Sequence, residues 1–135
     1  MKCVMIIDQN LPVGLIANTA AVLALTIGHR IEGIIGEDVR DGDDQVHAGI
    51  TQLPIPLLKG DSDLIRSIRE RLSEMDSEQV FFVDFCDVAQ KSKAYANYKA
   101  NLEQTPADQL TYLGIAICGP KKQVNGLTGH IGLLR

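Results

Sequence analysis

The sequence predicts an α/β fold, a single domain over residues 1–135 with a mixed β-sheet and helices on both faces. Two observations carry this expectation. Continuous apolar runs at Cys3 to Ile7, Val80 to Phe85 and Tyr112 to Cys118 have the character of strands buried on both faces. Helical periodicities stand between them, in the order strand, helix, hairpin, helix, strand, helix, strand. A chain of 135 residues is near the commonest domain size and long enough for one core.

The first strand stops at Asp8-Gln9-Asn10, where Asn10 can cap the following helix. Pro12 sits in that helix's first turn and Gly28 supplies a left-handed stop, so the helix runs from about Leu11 to Ile27. Its apolar positions cover most of its circumference, which predicts wide burial against a sheet. Ile31 to Gly36 reads as a short strand, and the Asp41-Gly42 pair marks a hairpin or surface loop. Pro54 and Pro56 place any strand in Ile50 to Leu58 at a sheet edge.

Asp61 to Met75 is the clearest amphipathic helix: Leu64, Ile65, Ile68, Leu72 and Met75 share a face, and Asp61 or Ser62 caps it. After the strand Val80 to Phe85, expected inside the sheet, a third helix starts at Val88 or Lys91 and ends near Gln104. Thr105-Pro106-Ala107-Asp108 opens a short turn, Gly119-Pro120 ends the last strand, and Val124 to Leu134 is a glycine-broken apolar tail.

Composition narrows the function classes. The formal charge of −4 disfavours generic nucleic-acid binding, which needs clustered Lys and Arg, so any such contact is expected to be local and weak. Cys3, Cys86 and Cys118 are odd in number and lack metal-ligand spacing, so they read as reduced, buried thiols. The N-terminal apolar run is too short for a signal peptide, and the apolar helix falls short of the roughly 20 residues that span a bilayer. The protein is expected to be cytoplasmic, without a membrane segment, cofactor or metal.

Two stretches resemble class II peptidyl-tRNA hydrolases, small α/β enzymes that cleave the ester between a peptide and tRNA. Val4-Met-Ile-Ile-Asp-Gln-Asn-Leu-Pro-Val-Gly14 is similar to their opening strand and turn. Leu113-Gly-Ile-Ala-Ile-Cys-Gly-Pro120 and the tail from Val124 to Leu134, with its Thr-Gly-His, are similar to their closing strand and ending. Between them, His47-Ala-Gly-Ile and Leu53-Pro-Ile-Pro-Leu-Leu58 look like an uncharacterised domain-of-unknown-function family on the same scaffold. The resemblance implies a homodimer and a site at the mouth of the first helix.

It also implies a catalytic Lys just after the glycine of the opening turn, where this chain has Leu15, Ile16 and Ala17. The family's Asp and Thr fall on Asn101 and Thr105. With the cation and the carboxylate replaced, the parts that stabilise an oxyanion and position water are largely gone. Ordinary peptidyl-tRNA hydrolysis is therefore expected to be absent or weak.

The expected site combines Asn10, Gly14 and Asn18 as ligand-binding residues with His47, Asn101 and Thr105 as candidates for chemistry. Asn18 is a polar residue on a helix expected to be buried, where an unpartnered amide costs about 1–3 kcal/mol. His47 follows Asp43 and Asp44, and a histidine beside carboxylates can act as a general base; Thr105 also serves as a cap. Lys91, Lys93, Tyr95, Tyr98 and Lys99 read as a helix with its tyrosines inward and its lysines outward, or as a base-stacking, phosphate-neutralising stripe. Three functions follow: a pocket protein that binds or processes a small polar ligand, a divergent ester hydrolase in which His47 replaces the Lys, or an RNA-contacting or oligomerising module.

Overall fold

The computed structural model describes residues 1–76 and 78–135 and has the expected α/β architecture. In chain order, β1 (Lys2–Asp8) leads into α1 (Val13–Arg30) and a hairpin of β2 (Val39–Arg40) and β3 (Val46–His47). Then come β4 (Leu57–Gly60), α2 (Ser62–Ser73), β5 (Phe81–Cys86), α3 (Asp87–Lys91) and α4 (Tyr95–Glu103). A 3-10 turn (Ala107–Gln109), β6 (Tyr112–Gly119) and α5 (Lys121–Thr128) complete the chain's regular elements.

Among the described residues, four strands form one mixed sheet in the order β4-β1-β6-β5. β1 runs parallel to β4, and β6 runs antiparallel to both β1 and β5. The central pair explains the unbroken apolar runs. Cys3, Met5 and Ile7 face α1 with Leu23 and Ile27, while Val4 and Ile6 face α2 and α5 with Ile65, Ile68, Leu72 and Val124. Every residue of β6 is buried. Each fully buried isoleucine in this pair contributes about 1.5–3 kcal/mol, so β1 and β6 anchor both cores.

Two close approaches depend on missing side chains. A Cβ at Gly114 would lie 2.6 Å from Thr19 Cγ2, and one at Gly60 would lie 2.5 Å from Ile6 Cγ2. Gly114 thus lets α1 settle on β6. α2 matches its sequence reading, capped by Asp61, whose Oδ1 accepts the Leu64 N–H at 2.8 Å.

Other expectations are corrected. β5 is an edge strand, not an inner one: its Phe81, Phe82 and Val83 are only half-buried, although an apolar run looks alike at an edge and at a centre. The Ile31 to Gly36 segment forms a single bridge, Ile35 to Thr51, rather than a strand. α1 passes through Gly28 to Arg30, because its last turn needs no left-handed residue. At 18 residues, with mean hydropathy 1.3, it meets the length and composition of a membrane span, yet Thr19, Leu23 and Ile27 pack it on the sheet. The third helix is broken at Ser92-Lys93-Ala94 into α3 and α4.

Cys3 and Cys118 are not separate thiols. They are direct partners across β1 and β6, joined as a disulfide, and only Cys86 is a free cysteine. Their separation of 115 residues hid this from spacing arguments, since pairing is set by strand register.

Candidate functional site

The residues expected to form a site belong to separate elements: Asn10 to the β1–α1 turn, Gly14 and Asn18 to α1, His47 to β3, Asn101 to α4 and Thr105 to the turn after it. Asn10 does not cap α1: the cap position is Pro12, without a side-chain bond, and the Asn10 N–H donates to Asp8 Oδ1 at 3.0 Å. Asn18 is exposed rather than buried, because the packed face of α1 runs through Thr19, Leu23 and Ile27. Gly14 is exposed in the first turn of α1. Asn101 and Thr105 are neighbours at the end of α4, where the Thr105 hydroxyl donates to the Asn101 carbonyl at 2.7 Å. That bond closes a helix end. His130 is exposed after α5.

His47 has a carboxylate partner, and it is Asp41 rather than Asp43 or Asp44. Asp41 Oδ1 accepts the N–H groups of Asp43 and Gln45 at 2.9 and 3.1 Å, and its Oδ2 meets His47 Nε2 at 2.7 Å. The His47 bond, followed by those two N–H bonds, holds the Asp41 carboxyl below its ordinary range. The pair ties the β2–β3 hairpin across its tip and stays open to solvent.

None of three cavities in the molecule has Asn10, Gly14, Asn18, His47, Asn101 or Thr105 in its wall. The cavity with the richest lining is a cleft of about 440 Å³ between the second half of α1, the edge strand β5 and the α3–α4 break. Val22, Thr26 and Arg30 form one side, Val83, Asp84 and Phe85 the floor, and Ala89, Ser92, Lys93, Ala94, Tyr95 and Tyr98 the other side. The break in the helix makes the wall. Had α3 continued unbroken into α4, Lys93 and Tyr95 would follow one helical cylinder.

Tyr95 is 78% exposed, against the inward packing expected of it, and meets Tyr98 edge to face with centroids 5.5 Å apart. Burial pushes the Tyr98 phenol up from its ordinary value, with Cys86 and Asp84 adding to the effect. Asp84 is already engaged: its Oδ2 accepts from Arg69 Nε at 2.8 Å, and this bond is the main reason the Arg69 guanidinium holds its proton more tightly. Arg69 also lies over the rings of Phe82 and Tyr112, at 5.7 and 5.9 Å. Arg30 and Lys93 have no carboxylate in ion-pair range among the described residues.

The groups around the cleft are mostly engaged or unactivated. Cys86 lies next to its floor but is 1% exposed, and burial raises its thiol pKa, the opposite of an activated nucleophile. The hydroxyls of Ser92 and Thr26 donate to the carbonyls of Val88 and Val22. No acid, base and nucleophile converge there.

Residues 1–135 match the family described as "Protein of unknown function (DUF2000)". The chain belongs to the DUF2000 family. A structure of the protein of unknown function Atu0240 from Agrobacterium tumefaciens strain C58 superposes on this DUF2000 chain with a TM-score of 0.85. The superposition covers 98% of this chain and 96% of that one at 23% identity, which establishes a shared fold. No curated protein matches the DUF2000 chain. The cleft residues were only partly visible in the sequence: Lys93, Tyr95 and Tyr98 stood out, and Asp84 stands at the end of an apolar strand where such sites form, whereas Arg30 and Val83 carried no signal because only the tertiary fold brings them there.

Proposed function

We propose that this DUF2000 protein is a binding protein for a small polar ligand, held in the cleft between α1, β5 and α3–α4. One observation carries the reading. A concave site floored in part by Val83 and Phe85 holds cations without carboxylate partners among the described residues and an exposed aromatic ring, which is the make-up of a ligand pocket. Its scaffold is read as similar to that of class II peptidyl-tRNA hydrolases, on the two terminal stretches that resemble them. Leu15, Ile16 and Ala17 at the place of the family's Lys, and Asn101 at that of its Asp, argue against that chemistry here.

Ligand-observed NMR with a library of small polar fragments tests this. Hits should compete for one site and lose binding in Tyr95→Ala, a substitution that removes an exposed ring and leaves the core intact. Hits indifferent to Tyr95→Ala would place binding elsewhere.

A second reading, a divergent ester hydrolase, is favoured by one contact: an aspartate holding a histidine is a general-base arrangement, as in His47 with Asp41. Under the first reading, purified protein releases no peptide from peptidyl-tRNA above the uncatalysed rate. Turnover abolished by His47→Ala would favour the second.

A further inference from the structure

We infer that the cleft takes a flat-ringed anion, a planar aromatic group carrying a carboxylate or phosphate; this rests on the binding reading above and specifies its ligand. Two independent features of the cleft converge on that class. Its charges are lopsided: Arg30 from α1 and Lys93 from the α3–α4 break flank it without carboxylate partners among the described residues. Asp84, the carboxylate in the lining, is bound to Arg69 at 2.8 Å, so its charge is already answered from the α2 side. An incoming anion therefore meets two cations and a compensated acid. Bonds from such cations to an anion are charge-assisted, about twice as strong as neutral ones.

The second feature is the ring platform. Tyr95 presents most of its surface to solvent at the cleft and meets Tyr98 edge to face, which leaves its ring face open for stacking. Phe85 and Val83 supply an apolar floor. Arg30 is itself positioned, its guanidinium 5.7 Å from the centroid of Phe81, so little side-chain freedom is lost when it binds. A cleft of about 440 Å³ lies within the range of sites that enclose small molecules. A bare anion would leave the platform unused, and a neutral ring would leave both cations unused.

Two probe pairs separate the anion from the ring: 2-naphthoate against 2-naphthalenemethanol, and adenosine monophosphate against adenosine. Each is titrated by NMR into the full chain, into Arg30→Gln, Lys93→Gln and Tyr95→Ala, and into Lys91→Gln as a neighbouring cation outside the cleft. At least one anionic probe should bind about tenfold more tightly than its neutral partner. It should weaken about tenfold in Arg30→Gln or Lys93→Gln and in Tyr95→Ala, and stay unchanged in Lys91→Gln. The pair that responds tells carboxylate from phosphate. Equal binding of charged and neutral partners, still lost in Tyr95→Ala, would overturn the anion inference and leave the binding cleft standing. Binding by no probe that responds to Tyr95→Ala would overturn both.

Discussion

Cys3 and Cys118 are the residues on which the two central strands are most tightly joined. They are 0% and 1% exposed, and the bond closes a loop of 115 residues; disulfides typically contribute about 2–4 kcal/mol, and loop-closure entropy puts a span of this length at the upper end, about 5 kcal/mol. Denaturant unfolding with and without reductant should therefore show a lower midpoint when reduced, and peptide mapping of the oxidised protein should link Cys3 to Cys118. Equal midpoints would contradict the pairing. The remaining thiol, Cys86, and the phenols of Tyr98 and Tyr112 behave alike, since burial raises the pKa of all three. Each ionises more readily in the unfolded chain than in the folded one. Their stabilising effect is complete below the unfolded thiol value, near pH 8.5, and is lost as pH rises through the raised values of the folded thiol and phenols. Thermal unfolding followed from pH 7 to 11 should show the midpoint falling above about pH 8.5.

At the scale of elements, the seat of α1 depends on Gly114. A methyl group there would press on Thr19 Cγ2 at 2.6 Å and Leu23 Cδ1 at 3.1 Å, and overpacking of this kind costs about 1–3 kcal/mol. Gly114→Ala should destabilise by that amount in denaturant titration. Adding Thr19→Ala removes the clashing carbon together with a hydroxyl that has no hydrogen-bond partner in its buried setting, so the double variant should recover part of the loss. Strict additivity of the two changes would mean that α1 does not rest on this contact. The same helix supplies Val22, Thr26 and Arg30 to the cleft, so Gly114→Ala should also weaken ligand binding.

For the whole molecule, the sheet's two edges are treated differently. The tail covers the β4 edge: Lys59 N–H donates to the Gly132 carbonyl, and Leu134 N–H to the Leu57 carbonyl, both within 3 Å. β4 is at a sheet edge, as the prolines before it predict, but the tail closes that edge along Leu57 to Lys59. β5 is the open one: along Phe81–Cys86 it has no proline or lysine, its one charge, Asp84, is bound by Arg69, and its register shifts only at the end, between Phe85 and Cys86. On α1, Val13 and Leu25 are 83% and 79% exposed, and no charged residue interrupts the helix before Arg30. Both surfaces favour self-association, and light scattering at micromolar concentration is expected to return twice the mass of the chain. A monomer there would remove the homodimer.

The sequence by itself determined the class of fold and the placement of most elements. Strong local signals are readable without tertiary context, such as the stripe of Ile65, Ile68 and Leu72 behind an Asp61 cap, or an apolar run ending at Asp8. Strand order, register and exposure are not local properties. Phe81 to Phe85 has the same pattern at an edge as at a centre, Cys118 meets Cys3 only through the β1–β6 register, and Asn18 turned to solvent because Thr19 took the packed position. The candidate site was legible in part, in Lys93, Tyr95 and Tyr98. Arg30 reached them only when α1 crossed beside β5, because a cleft is made by distant segments whose separation in the chain carries no energy of its own, whereas their packing does.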